Sequence, residues 1–375
     1  MMTSDNPDQP LYRATALVDF PRVAEFLDPI LTSIATHDMT VTGSGNLYRV
    51  ASAFGSATIE PLPGQLRFGV ETTERRALNR LKHALVGPLS FIAASEKLDV
   101  RWSGDETGPS LPEDLRILRV ADIAQVTPRM RRVAFHGDDL GRFERPDQLH
   151  CRLIFQPKGV SAPLWPQLDD RGHVVWPKAQ KLATRVYTIR GIDAARGMIE
   201  IDFALHDKPG PATQWALQAA PGDIVGILGP AADGPRPADF YVLAGDETGL
   251  PGIARILAEL DRAARGVAFI EIADRAERQS LTKPAGVDVH WLYRGEMLSG
   301  PAGLLPEALR GVDWPSDLAR AFFWGGCEHK AFREIHRLLR NDVGLPRERQ
   351  VLYSHWHRAL SEEQIIEIGG EAYLP

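Results

Sequence analysis

Residues 223–251 read DIVGILGPAADGPRPADFYVLAGDETGLP, and the change of pattern inside this stretch decides the fold. Residues 223–229 form a short apolar run of the strand type that fills the region before it. Gly and Pro recur through 229–237 and mark a boundary. From Phe240 to Ala244 a continuous apolar strand then leads through a glycine-bearing turn into an amphipathic helix expected over 251–264. A strand that turns directly into a helix belongs to a parallel sheet with both faces covered.

Working outward, strands are expected downstream over 267–273, 289–293, 321–324 and 350–355, with a helix over 328–341. The domain over 236–375 is therefore expected to be α/β with a parallel sheet. Upstream, strand-like segments over 115–120, 130–136, 150–156, 184–189, 198–205 and 223–229 imply an antiparallel β-barrel over 115–235. Residues 103–112 (SGDETGPSLP) read as the core of a linker, drawn over 103–114. Before it, 11–102 reads as a small α+β domain. A strand is expected over 12–18. Val23, Phe26, Leu27, Ile30, Leu31 and Ile34 follow at helical spacing, then strands over 47–50, 56–60 and 65–70 and a helix over 73–91. Gly43, Ser44 and Gly45 read as a turn.

A chain of 375 residues is too long for one core, so a multidomain protein is expected. A net charge of −6 and a pI near 6.0 argue against general nucleic-acid binding, which needs a basic surface. Two cysteines, Cys151 and Cys327, cannot build a disulfide framework or a four-cysteine metal cluster, which fits a reducing cytoplasm. Residues 1–10 lack the apolar stretch of a signal peptide, and no run approaches the roughly 18 apolar residues of a membrane span.

Four segments carry candidate chemistry. In the strand Arg185, Val186, Tyr187, Thr188, Ile189, Arg190, alternation puts Arg185, Tyr187 and Ile189 on one face and Thr188 and Arg190 on the other. A flavin site needs a cation for phosphate, an aromatic ring for the isoalloxazine and a small hydroxyl near N5; an exposed basic strand would show the same residues. After the strand containing Asp202, His206 precedes Gly210, Pro211, Ala212 and Thr213, which open a helix carrying Trp215. Its free N–H groups can cradle a diphosphate, although a plain helix start reads the same. The turn Gly245, Asp246, Glu247, Thr248 lies where nucleotides bind in open α/β sheets. Finally, Gly325 and Gly326 allow close approach of a ring that Cys327 and Glu328 could face, or these are a buried thiol and a helix-start glutamate.

Taken in order, these segments resemble the siderophore-interacting proteins, a branch of the ferredoxin-reductase superfamily, over about residues 115–358. The resemblance rests on Arg185 to Arg190; on Asp202, Phe203, His206, Gly210 to Thr213 and Trp215; on Gly245 to Pro251; on Trp291 to Arg294; and on Glu328 followed by Arg333. It implies an FAD-binding barrel followed by an NAD(P)H-binding α/β domain. By the same resemblance, Arg185, Tyr187, Thr188, Ile189, Asp202, His206, Gly210, Ala212 and Thr213 hold FAD. Gly245, Asp246, Glu247 and Thr248 line the nicotinamide approach, with Thr188, Cys327 and Glu328 at the reacting rings. Arg275 and Arg278 stand where a 2′-phosphate would favour NADPH over NADH. No metal ligand set is expected.

The implied activity is reduction of a ferric siderophore. Lys178, Lys181, His355, His357 and Arg358 are candidates for attracting the anionic chelate, or they are surface charges and packed histidines. A reductase serving another acceptor and a non-catalytic iron-chelate module are the alternatives. The chain departs from the family pattern at Ser354 to Arg358 and at His336, which bears on the substrate pocket. The start, Arg13 to Ala16, and end, Arg101 and Trp102, of the first region resemble a small domain family of uncharacterised function.

Overall fold

The computed structural model describes residues 10–35, 39–75, 77–105, 110–160, 162–206, 210–295, 303–358 and 364. The N-terminal elements are β1 (Tyr12–Asp19), α1 (Val23–Ala35), β2 (Thr40–Ser44), β3 (Leu47–Ser52), β4 (Gly55–Leu62), β5 (Gln65–Thr72), α2 (Ala77–Ile92) and β6 (Trp102–Gly104). They form one sheet in the order β2-β3-β4-β5-β1-β6. Every second residue of β1 is buried, and Ala14, Ala16 and Val18 join Ile30, Ile34, Leu81 and Leu85 of the two helices in one core. The linker expected from 103 is corrected at its start. Ser103 and Gly104 pair with Thr15 and Ala14, because a polar segment suits a sheet edge.

Next come β7 (Leu115–Thr127), β8 (Met130–His136), β9 (Gln148–Phe155), the short pair β10 (Gln167–Leu168) and β11 (Val174–Val175), β12 (Ala183–Asp193), β13 (Met198–Ala204), α3 (Pro211–Gln218) and β14 (Ile224–Asp233). Six of these strands close a barrel in the order β12-β13-β8-β7-β14-β9. Its interior is filled by Val133, Phe135, Leu153, Ile189, Ile201, Phe203 and Ile227.

The last part contains β15 (Phe240–Gly245), α4 (Leu250–Glu259), β16 (Arg265–Ile272), β17 (Gly286–Tyr293), α5 (Leu304–Arg310), β18 (Ala321–Glu328), α6 (His329–Arg337) and β19 (Gln350–Trp356). Its parallel sheet runs β17-β16-β15-β18-β19. Two expectations are corrected. Helix α4 stops at Glu259 because the Asp261 carboxylate accepts from Ala263 N at 2.7 Å and starts a turn. Residues 325–328 continue β18 instead of turning, because the strand is paired on both sides, Gly325 with Ala244 and with Leu352.

The described chain divides into two compact units. One comprises residues up to 115 together with 162–181; the other comprises 116–161 and 182 onward. The segment around β10–β11, expected within the barrel domain, therefore belongs to the first unit.

Candidate functional site

The site is built in the second unit, where strand β12 meets the carboxyl ends of β15, β18 and β19. Tyr187 is half-buried with its ring 4.5 Å from Phe203. Thr188 is buried and pairs across the ladder with His150 of β9. Ile189 departs from expectation: its side chain fills the barrel core and its carbonyl accepts from Arg255 at 3.1 Å, so it is a structural residue. Asp202 is corrected likewise. Its buried carboxylate accepts from Arg132 Nε and Nη2 at 2.6 and 2.9 Å, with Arg190 Nε at 3.8 Å, so it positions two arginines and touches no ligand surface.

Beside this ion cluster lie the groups a flavin nucleotide would use. Burial weakens the Arg190 guanidinium's hold on its proton, and its buried Nε has no hydrogen-bond partner. Helix α3 starts at Pro211 after the extended Gly210, where an added Cβ would meet open space. Ala212 and Thr213 thus present first-turn N–H groups. A buried guanidinium with an unsatisfied Nε, an open helix start and a half-covered tyrosine fit FAD. His206 is exposed, its ring 5.9 Å from Trp356; residues 207–209 of the same segment lie outside the described residues.

The turn after β15 is closed by its own side chains. Asp246 Oδ1 accepts from Thr248 N and Oγ1 at 2.8 and 2.6 Å, while Oδ2 accepts from Glu328 N and Trp356 Nε1 at 2.9 and 2.8 Å. Asp246 therefore ties three strand ends together with no acceptor left for a cofactor. Glu247 is also engaged, in a bidentate pair with Arg294 at 2.8 and 2.9 Å. Arg294 reaches Glu271 as well, whose pKa burial pushes up against that attraction. The backbones cross so closely that a Cβ at Gly249 would lie 2.1 Å from the Gly326 carbonyl oxygen.

Cys327 does not face this opening. It is fully buried among Val242, Phe323, Ile335 and Leu339, and burial raises its thiol pKa, so a catalytic role is withdrawn. Glu328 caps α6, accepting from Lys330 N at 2.7 Å and from Arg358 N at 3.3 Å. His355, expected as a cation for the chelate, turns inward. Its Nδ1 lies 3.3 Å from Thr248 Oγ1, and burial lowers its pKa despite Asp246, so it is neutral near pH 7. His357 stacks 5.1 Å from His329, and Arg358 is exposed. Lys178 and Lys181 are exposed on the segment held by the first unit. The five substrate candidates are thus divided between the two units, three in the second and two in the first. Among the described residues no group of three or more His, Cys, Asp or Glu is placed to hold a metal ion. No helix there is long and apolar enough to cross a membrane.

Sequence reading missed the residues that join the halves of the site. His150 stands between the two sides: it is the ladder partner of Thr188, and its ring lies 5.2 Å from His355 and 5.1 Å from Tyr353, edge-on to both. Arg255, buried within α4, donates to the carbonyls of Ile189 and Arg145 on the barrel at 3.1 and 2.8 Å. Buried Glu277 accepts from Thr127 Oγ1 at 2.6 Å and Arg129 N at 3.0 Å. Arg255 carried a faint signal, the lone cation of a helix whose only other charge is Glu259 at its end. Arg275 and Arg278, flanking Glu277, lie 5.2 Å over Tyr293 and 5.9 Å over Trp291.

Burial, then the proximity of His355 and Arg255, brings the His150 pKa down to about 3. Native His150 is neutral while an unfolded histidine binds a proton below about pH 6.5. Stability is therefore lost as pH falls from 6.5 toward 3, by about 1.4 kcal/mol per unit from this group. His150→Phe is expected to move the acid-unfolding midpoint, followed by tryptophan fluorescence, to lower pH. A midpoint unchanged or raised would refute this assignment.

Residues 119–234 match the model of the siderophore-interacting FAD-binding domain, and 238–359 that of the siderophore-interacting protein. The ferric vibriobactin reductase of Vibrio cholerae is 28% identical over 255 residues, covering 67% of this chain and 93% of that protein. The NADPH-dependent ferric-chelate reductase of Escherichia coli is 29% identical over 255 residues, covering 65% and 94%. A siderophore utilization protein from T. fusca superimposes with a TM-score of 0.59 at 36% identity, over 68% of this chain and 96% of that one.

Proposed function

We infer, from a chain that belongs to the siderophore-interacting protein family, a flavin-dependent reductase that draws electrons from NADPH and delivers them to iron(III) in a siderophore. The observation that carries this reading is the meeting of the flavin strand and the nucleotide turn: Thr188, His150, His355 and Thr248 follow one another across it. FAD on the barrel supplies the change from paired to single electrons that links a nicotinamide to iron.

The chain's own task is placement. Tyr187 would pack against the flavin ring system, Arg185 and the first turn of α3 would hold its diphosphate, and the Thr188 hydroxyl would serve as the small polar group near the reacting ring. The Gly249–Gly326 crossing brings the turn after β15 directly against β18, and Asp246 keeps that crossing from opening. His150 and His355, being neutral, add no positive charge of their own where the two halves of the site meet. Arg275 and Arg278 favour NADPH, because guanidinium groups at the end of β16 pair with a 2′-phosphate. Iron(II) binds hard oxygen ligands less tightly than iron(III), so reduction frees the metal without a protein ligand. We assign the reaction to the cytoplasm, where NADPH is kept reduced.

The test is an absorption spectrum of the purified protein. Flavin bands are expected, bleached by anaerobic NADPH and restored by a ferric catecholate as iron(II) appears in a trapping dye. A colourless protein, or a reduced flavin that ferric chelates leave bleached, would end this reading.

A further inference from the structure

The first unit is folded around a piece of chain that sequence assigns to the barrel. After β9 the chain leaves for residues 162–181 and returns at β12, with Lys181 four residues ahead of Arg185. Three consecutive carbonyls in this insert are each met by a side chain of the N-terminal domain. Lys82 Nζ donates to the Asp170 carbonyl at 3.0 Å, Trp102 Nε1 donates to that of Arg171 at 3.1 Å, and His83 Nδ1 lies 2.8 Å from that of Gly172.

Lys82 is 1% exposed, and a buried ammonium is tolerated only when its donors are matched. Its Nζ also donates to the Asp105 carbonyl at 3.3 Å and lies 5.8 Å from the Trp102 ring centroid. Ser110 and Leu168 exchange backbone hydrogen bonds at 3.1 and 2.6 Å. Gly172 has φ +83°, and a Cβ there would fall 2.7 Å from His83 N. Glycine is what lets this turn lie against α2.

What the seated insert displays is unlike an ordinary surface hairpin. Val174, Val175 and Trp176 are consecutive and remain 39%, 43% and 41% exposed, next to exposed Lys178 and Lys181. A flat indole and apolar side chains beside two cations suit a ligand with aromatic rings and net negative charge.

We propose that the N-terminal domain is a socket for the 162–181 insert, and that the insert it holds presents Trp176, Lys178 and Lys181 as a recognition platform for an anionic, aryl-bearing iron chelate. This deepens the reductase reading and rests on it for the identity of the ligand. The platform acts in recognition and takes no part in electron transfer.

The test uses the full chain with FAD and compares wild type with Gly172→Ala, which unseats the turn from the insert side, and Trp102→Phe, which removes the indole N–H donated to the Arg171 carbonyl while keeping an aromatic ring against Phe68. Hydrogen exchange of peptides spanning 162–181 is expected to quicken on the order of tenfold in both variants. Binding of gallium(III) tris-catecholate, a redox-inert probe read by tryptophan quenching, is expected to weaken roughly five- to tenfold, as is KM for the ferric complex, with kcat and KM for NADPH unchanged. Trp176→Ala should weaken gallium-complex binding without quickening exchange.

Unchanged exchange in both socket variants would overturn the socket. Quickened exchange with unchanged gallium-complex binding would overturn the platform. If wild type binds the gallium complex but does not reduce the ferric one, the reductase reading fails while the platform stands. If wild type does not bind it, the platform falls.

Discussion

Asp246→Asn is expected to slow NADPH-driven flavin reduction about a hundredfold while leaving FAD on the barrel. Two carboxylate oxygens accept four hydrogen bonds here, two from Thr248, one from Glu328 N and one from Trp356 Nε1. An asparagine of the same shape offers one acceptor and turns an NH₂ group toward the other two donors. Each buried donor left unmet costs about 1–3 kcal/mol, so roughly 2–6 kcal/mol opposes the native turn. The turn is then expected to separate β15 from the ends of β18 and β19, misplacing the nicotinamide by an ångström or more. Misplacement on that scale costs about a hundredfold in rate. Stopped-flow measurement of flavin bleaching by NADPH should show this fall with the flavin spectrum intact. A wild-type bleaching rate would mean that the turn is held by other contacts.

Arg132→Ala is expected to produce the largest loss of stability. Asp202 is 1% exposed at its side chain and takes a bidentate pair from Arg132, while Arg190 stays at 3.8 Å and Glu200 lies 3.6 Å from Arg132. Removing one partner of a buried pair leaves the other charge uncompensated, which costs about 3–5 kcal/mol. Arg190 is then expected to swing onto Asp202 and leave the flavin side, so FAD content should fall together with the urea midpoint. Lysine should not rescue, because one ammonium cannot reproduce the two parallel bonds. A urea midpoint within the scatter of wild type would show that Arg190 already neutralises Asp202.

What sequence disclosed depended on whether the signal was local. Barrel strands such as Met130–His136 alternate apolar and polar residues, and the apolar run of β15 ends at a glycine turn. Trp102–Gly104 was hidden because a polar edge strand looks like a linker until its partner, β1, is known. The same holds for Gly325 and Gly326, which read as a turn but are held straight by neighbours on both sides. At the site, Tyr187, Thr188 and the turn at Asp246 were legible as residue types in order. The roles of Asp246, Cys327 and His355 were not, since burial and four donors decide them. His150, Arg132 and Arg255 act on residues 38 to 205 positions away, a relation no local pattern carries. The insert is the plainest case, for nothing within residues 162–181 announces that a different domain grips it.

The burial of both thiols has a chemical consequence. An enzyme that released iron(II) in air, as proposed above, would work beside a source of Fenton oxidants, and accessible thiolates are among the side chains such oxidants attack first. Cys151 sits in the barrel interior and Cys327 against the parallel sheet, and desolvation keeps both protonated. Neither presents a nucleophilic sulfur, so neither thiol would offer such oxidants a quick target.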